Sequence, residues 1–110
     1  MEKRTAVAGL AALAQETRLD IFRLLVEAGP AGHAAGEIAS RLGLPAATLS
    51  FHLKELRRAG LITCRRRGRS LIYAADFAAM RGLVGYLTEN CCGGACGTIP
   101  ADEALKESSP

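Results

Sequence analysis

Three cysteines close together near the end of the chain, Cys91, Cys92 and Cys96, are the residues with the most chemistry to offer. They fall where a helical pattern gives way to Gly93-Gly94-Ala95, a stretch with no apolar periodicity to bury them. Side chains of adjacent residues diverge, so two thiolates can share one small ion only if the backbone bends. The glycines supply the freedom to bend it and to bring Cys96 back towards the pair. Three thiolates with no fourth donor suit a soft trivalent ion carrying a lone pair, As(III) or Sb(III), which binds sulfur in a pyramid. Zinc prefers four ligands in a tetrahedron, and the hard ions magnesium, calcium and manganese prefer oxygen. Other uses of these residues stay open: a Cys92–Cys96 disulfide as a redox switch, zinc or cadmium capture, and a two-thiolate site for methylarsenite with Cys96 a spectator. The fourth cysteine, Cys64, lies in a β-type run and is expected to be a buried structural residue. The opening MEKRTAVAGL has no sustained apolar stretch with a cleavage site, which predicts a cytoplasmic protein with reduced thiols.

The second concentration of chemistry is positive charge. Lys54, Arg57, Arg58, Arg65, Arg66, Arg67 and Arg69 face only Glu55 between positions 54 and 69, although the whole chain carries a net charge of only +3. Such a footprint belongs to a protein with an anionic partner, and double-stranded DNA is the default. Arg65, Arg66, Arg67 and Arg69 surround Gly68 at a turn between two apolar runs, where guanidinium groups can meet phosphates or enter a minor groove.

The elements that must position these groups follow from periodicity. At 110 residues, 49% hydrophobic and 23% charged, the chain makes one small globular domain, and no apolar run reaches the roughly 20 residues of a membrane span. Helices are expected over Thr5–Ala14, Gln15–Ala28, Ala35–Leu42 and Pro45–Ala59, and from Asp76, as N-cap, to about Asn90. Leu61–Cys64 and Ser70–Ala74 are expected as a two-stranded hairpin. The result is a mainly α fold of five helices with a small β-hairpin, a winged helix-turn-helix. Residues 1–90 form its body, and residues 91–110 a cysteine-containing, inducer-binding segment and mobile tail.

At about 100° per residue, Leu49, Leu53 and Leu56 share one stripe of the helix at 45–59. Ala47, Phe51, Lys54 and Arg58 fall opposite, with Thr48 and Ser50 on the flanks and His52 half buried at the edge. Small residues first and cations later suit a major groove, since the backbone approaches the bases closely while the cations meet phosphates. Phe51 can pack on a thymine methyl group or close a gap against the wing; His52 is expected to be structural, within reach of a phosphate. In the last helix Phe77, Met80, Val84 and Leu87 form a heptad-like seam. Neither a CxxC at a helix start, nor a Ser/His/Asp arrangement, nor a phosphate loop, nor paired carboxylates occur, so catalysis is not expected.

The run GEIASRLGLPAATLSFHLKELRRAGLI followed by RRRGRSLIY resembles the winged helix-turn-helix of the ArsR/SmtB family of bacterial metal-responsive repressors. LAQETRLDIFRLL resembles that family's second helix, and together these stretches cover residues 5–90. The resemblance implies a homodimer built from the first and last helices, on a two-fold operator with half-sites about 34 Å apart. Two common inducer sites of the family are missing here. His33-Ala34-Ala35-Gly36-Glu37, before the recognition helix, contains no cysteine, and the last helix offers only Asp76 and Glu89 and no histidine. What remains resembles the arsenite sensors with a vicinal cysteine pair and a third cysteine just beyond. The implied protein is an arsenite-responsive repressor released when As(III) binds Cys91, Cys92 and Cys96, with no organic cofactor and no membrane partner.

Overall fold

Alternating stretches of helical periodicity and β-branched residues fold as α1 (Lys3–Leu13), α2 (Glu16–Ala28), β1 (His33–Ala34), α3 (Ala35–Leu42), α4 (Ala46–Arg58), β2 (Ile62–Arg67), β3 (Ser70–Ala75) and α5 (Phe77–Leu87). The computed structural model describes residues 1–94; Cys96 and the tail after it, expected as part of the inducer-binding segment, lie outside the described residues.

Local chemistry sets the boundaries. Gln15 stands just before α2, and its side chain accepts from the Arg18 backbone N–H at 2.8 Å. At the end of α3 Gly43 takes the left-handed conformation (φ 64°, ψ 38°), and the Leu44 N–H closes onto the Ala39 carbonyl at 2.9 Å. Pro45 then caps α4 from outside with extended dihedrals, one position earlier than the first-turn placement expected from sequence. Asp76 caps α5 as its sequence implied, with Oδ1 accepting from the Ala79 N–H at 3.0 Å. The helix itself stops at Leu87, short of Asn90.

The hairpin of β2 and β3 runs in register from Ile62↔Ala75 to Arg67↔Ser70. Its two-residue turn, Gly68-Arg69, has positive φ only at Gly68 (62°), the pattern of a type II′ turn. A third strand absent from the sequence reading, β1, pairs antiparallel with β3 through His33↔Tyr73 and Ala34↔Ile72. Two residues carry no alternation to detect. Gly32, just before it, makes the pairing possible: at φ 65° a side chain would be strained, and a Cβ there would collide with the Tyr73 carbonyl oxygen.

Ile21, Phe22 and Leu25 of α2, Ile38 of α3 and the three leucines of α4 close over Leu61, Ile62 and Ala75 to form the core. On α1 the small residues Ala6, Gly9 and Ala12 turn inward, while Val7 (56% exposed) and Leu10 (41%) face outward. The seam expected along α5 divides between two surfaces. Phe77 and Met80 pack against the core, joined by a buried Leu83, whereas Val84 and Leu87 are 57% and 59% exposed. Cys64 is half-buried rather than buried, because its strand lies at the sheet edge.

Replacing Gly32 with Ala is expected to destabilise the protein by at least about 2 kcal/mol in urea unfolding, through strain at positive φ and loss of the β1–β3 pairing. Gly36→Ala, inside α3 where a Cβ meets nothing within 4 Å, is expected to be neutral or stabilising by up to about 1 kcal/mol.

Candidate DNA-reading face and thiol pair

Helix α4 is seated by Leu49 (2% exposed), Leu53 (2%) and Leu56 (0%). That seat leaves Ala47, Thr48, Ser50, Phe51, Lys54 and Arg58 on the exposed face, together as the sequence placed them. Phe51 is 57% exposed and stands edge-on to the His52 ring, with centroids 5.4 Å apart. That exposure leaves an apolar surface on the outer face of α4, as packing on a thymine methyl group would need. Arg58 is exposed but paired with Glu55 at 3.4 Å, one turn back on the same helix.

His52 departs furthest from the expected half-buried flank. At 8% exposure it is buried, and its Nδ1 lies 3.3 Å from Nη1 of Arg18 in α2. Burial and the neighbouring Arg18 charge hold the imidazole below its ordinary value, so it is neutral at physiological pH. Arg18 is a residue the sequence reading did not single out. Thirty-four positions separate it from His52, and no local spacing marks such a contact.

The wing arginines also divide. Strand alternation puts Arg66 on the face of Cys64 and Tyr73, and Arg65 and Arg67 on the other. Arg65 donates to the carbonyls of Pro30 and Ala31 at 3.1 and 3.0 Å, stapling the wing to the α2–β1 connection. Arg66, Arg67 and Arg69 are exposed around the turn. At the base of the wing, burial and a hydrogen bond with the Cys64 thiol hold the Tyr73 phenol above its ordinary value, against the opposing charge of Arg57.

Beyond α5 the chain makes a tight turn at Cys91–Gly94, with Asn90 (φ 56°) and Cys92 (φ 55°) in the left-handed region. The Cys91 N–H closes onto the Thr88 carbonyl at 2.9 Å, and the Gly93 N–H onto that of Asn90 at 2.9 Å. A left-handed cysteine is the bent backbone that two adjacent thiols require. It brings Sγ of Cys91 and Cys92 to 3.7 Å, both on the exposed surface. With metal–sulfur bonds near 2.3 Å, two sulfurs on one ion stand about 3.3 to 3.8 Å apart for bond angles between right and tetrahedral. The Cys91–Cys92 separation of 3.7 Å falls within that range. Among the described residues no group of three His, Cys, Asp or Glu side chains gathers to hold a metal. Both histidines are engaged elsewhere, His33 with Glu37 at 3.2 Å and His52 with Arg18.

Because the folded state holds His52 below the 6.5 of a free imidazole, the unfolded chain takes up that proton first. Its contribution to stability is complete above about pH 6.5 and declines as pH falls towards the folded value. In urea unfolding across this range, wild type is expected to lose more stability on acidification than His52→Asn. Arg65→Gln is expected to cost about 1 kcal/mol of stability by freeing the wing. Arg67→Gln is expected to leave stability unchanged and to reduce the slope of duplex-DNA affinity against salt by about 0.9.

Residues 13–65 match a helix-turn-helix domain family. The transcriptional activator HlyU of Vibrio cholerae is 34% identical over 94 residues, covering 84% of each chain. Its solved structure aligns with a TM-score of 0.65 over 84% of this chain and 99% of its own. A reduced form of HlyU, at 32% identity, gives 0.62 over 81% and 90%. An ArsR-like transcriptional regulator from Rhodococcus sp. RHA1 is 26% identical and gives 0.70 over 96% of both chains. A homodimeric winged helix-turn-helix DNA-binding domain from Mycobacterium bovis, 29% identical, gives 0.63 over 79% and 81%. With the winged helix-turn-helix in place and relatives that share it along most of their length, the chain belongs to the ArsR/SmtB family of winged helix-turn-helix transcriptional regulators.

Proposed function

We propose that this regulator is an arsenite-responsive repressor: a homodimer that binds a two-fold operator and leaves it when As(III) is taken up by Cys91, Cys92 and Cys96. The observation that carries the reading is the approach of the Cys91 and Cys92 sulfurs to 3.7 Å at an exposed, left-handed turn just beyond α5. Such a turn is costly for a non-glycine residue and is most often retained where function needs it. Cys96 follows two residues after the turn ends and supplies the third sulfur. Three thiols displace the three hydroxyls of arsenous acid as water, with no change of oxidation state. Sb(III) has the same demand, and methylarsenite needs only the vicinal pair.

Exposed Val7 and Leu10 on α1, and Val84 and Leu87 on α5, support a dimer through the first and last helices. The Mycobacterium bovis relative is itself homodimeric. Loading the thiols acts at the end of a helix in that interface, so the two reading heads change their spacing. A coupling of about 1–3 kcal/mol, or 5- to 150-fold in operator affinity, suffices for a switch. A redox switch on the same thiols is the second reading, favoured by a relative whose solved structure is described as reduced HlyU. Zinc or cadmium would want four donors, and among the described residues no His, Cys, Asp or Glu side chains gather beside the pair to supply them.

Reduced protein bound to a duplex selected from a randomised pool, titrated in parallel with arsenite, peroxide, zinc and cadmium, tests the assignment. Arsenite is expected to lower affinity by about 5- to 150-fold. Cys91→Ser, Cys92→Ser and removal of residues 91–110 are expected to keep DNA binding and abolish the response. Release of the truncated protein by arsenite would defeat the proposal, and release by peroxide alone would favour the redox reading.

A further inference from the structure

We infer that Arg18 is a positioning residue for DNA reading: its guanidinium ties the end of α1 to α4 and thereby sets how the reading helix sits in the protomer. The inference rests on α4 being the recognition helix of an operator-binding regulator, as proposed above. Arg18 lies in the first turn of α2, yet its side chain serves the two neighbouring helices. Nε donates to the Ala12 carbonyl at 2.8 Å, and Nη1 stands 3.3 Å from Nδ1 of His52. Ala12 is in the last turn of α1, where carbonyls lack partners within the helix and a cation is favoured. Arginine only donates, so Nδ1 of His52 accepts and the imidazole proton sits on Nε2. Arg18 is the polar partner of the His52 side chain among the described residues.

The packing around this fork explains why it matters. A solvent-open groove of about 290 Å³ runs between α1 and α4, with Ala8, Ala11 and Ala12 on one side and Glu55, Arg58 and Ala59 on the other. Alanines are too short to interlock across that space, and Arg18, which lines it, spans the gap with directional bonds instead. His52 in turn sits edge-on to Phe51, which is exposed on the reading face. The leucines below fix which face of α4 points outward. The fork fixes where its middle lies relative to α1, a helix of the proposed dimer interface. A lysine carries its three donors on a single nitrogen, whereas the planar fork sets Nε and Nη1 against the two acceptors separately, so the substitution does not preserve the tie.

Placement and charge are separated by measuring affinity for the duplex that wild type selects from a randomised pool and for a scrambled duplex of the same composition. Arg18→Gln and Arg18→Lys are expected to reduce the selected-to-scrambled ratio about tenfold, with scrambled binding within about twofold of wild type. His52→Asn, which keeps an acceptor close to the position of Nδ1, is expected to hold the ratio within about threefold of wild type. If Arg18→Gln does not fold, His52→Leu removes the acceptor within an apolar volume and carries the same expectation of about a tenfold loss. An unchanged ratio in the folded Arg18→Gln or His52→Leu protein overturns the inference, as does an equal loss on both duplexes. A wild type that selects no duplex overturns the DNA-reading assignment, and this inference with it.

Discussion

Burial of Leu49, Leu53 and Leu56 under α4 is the constraint on which the rest of the molecule depends. All three are at most 2% exposed and belong to the same cluster as Ile21, Leu25 and Ile38. Each buried leucine contributes about 1.5–3 kcal/mol relative to exposure, in a domain whose net stability is only about 5–15 kcal/mol. Rotating α4 to present another face would remove much of that stability. The outward residues are therefore determined by the inward ones: small and hydroxylated at the start, Phe51 in the middle, cations towards the end. The wing joins this platform through the strand register and through Arg65, which binds two carbonyls 34 and 35 positions away in sequence.

Most of the fold was legible because it is written in short-range patterns. Helical spacing, Gly43 at a helix end, Asp76 at a helix start and Gly68 at a hairpin each act within four residues of themselves. What escaped acts across the chain. Strand β1 has only two residues, and it forms because Gly32 lets the chain approach Tyr73. The Arg18–His52 bond joins two helices whose sequences say nothing of one another. The α5 seam shows the limit of periodicity itself: the heptad pattern was present, but Leu83, off that pattern, shares the core while Val84 and Leu87 turn outward. Which face of α4 is exposed was legible in the sequence, whereas the staple role of Arg65 and the depth of His52 were not.

Helix α5, which precedes the thiol pair in the chain, is linked to α4 by packed and hydrogen-bonded neighbours. Three residues, Thr88 to Asn90, separate the turn at Cys91–Gly94 from α5, whose Leu83 lies against α1 at Gly9; a Cβ there would stand 3.7 Å from it and 3.6 Å from Leu61. From the last turn of α1 the route passes through the Ala12 carbonyl to Arg18 and His52. Contiguity of this kind is spatial, and coupling demands in addition that the ligand bind two arrangements with different affinity. Small residues along α1, including Ala6, Gly9 and Ala12, leave little interlocking to resist a shift. Under the proposed mechanism, that softness is what allows an event at the end of one helix to reach another.

Linkage gives the most direct test of the central claim, because soft-ion capture and DNA release must share one coupling energy. The measurement is the arsenite affinity of the reduced protein, determined once alone and once saturated with the duplex it selects. The account requires arsenite to bind the DNA complex more weakly, by the same factor of about 5 to 150 by which arsenite weakens DNA binding. Equal arsenite affinity in the two states would contradict it, whatever ion the cysteines hold.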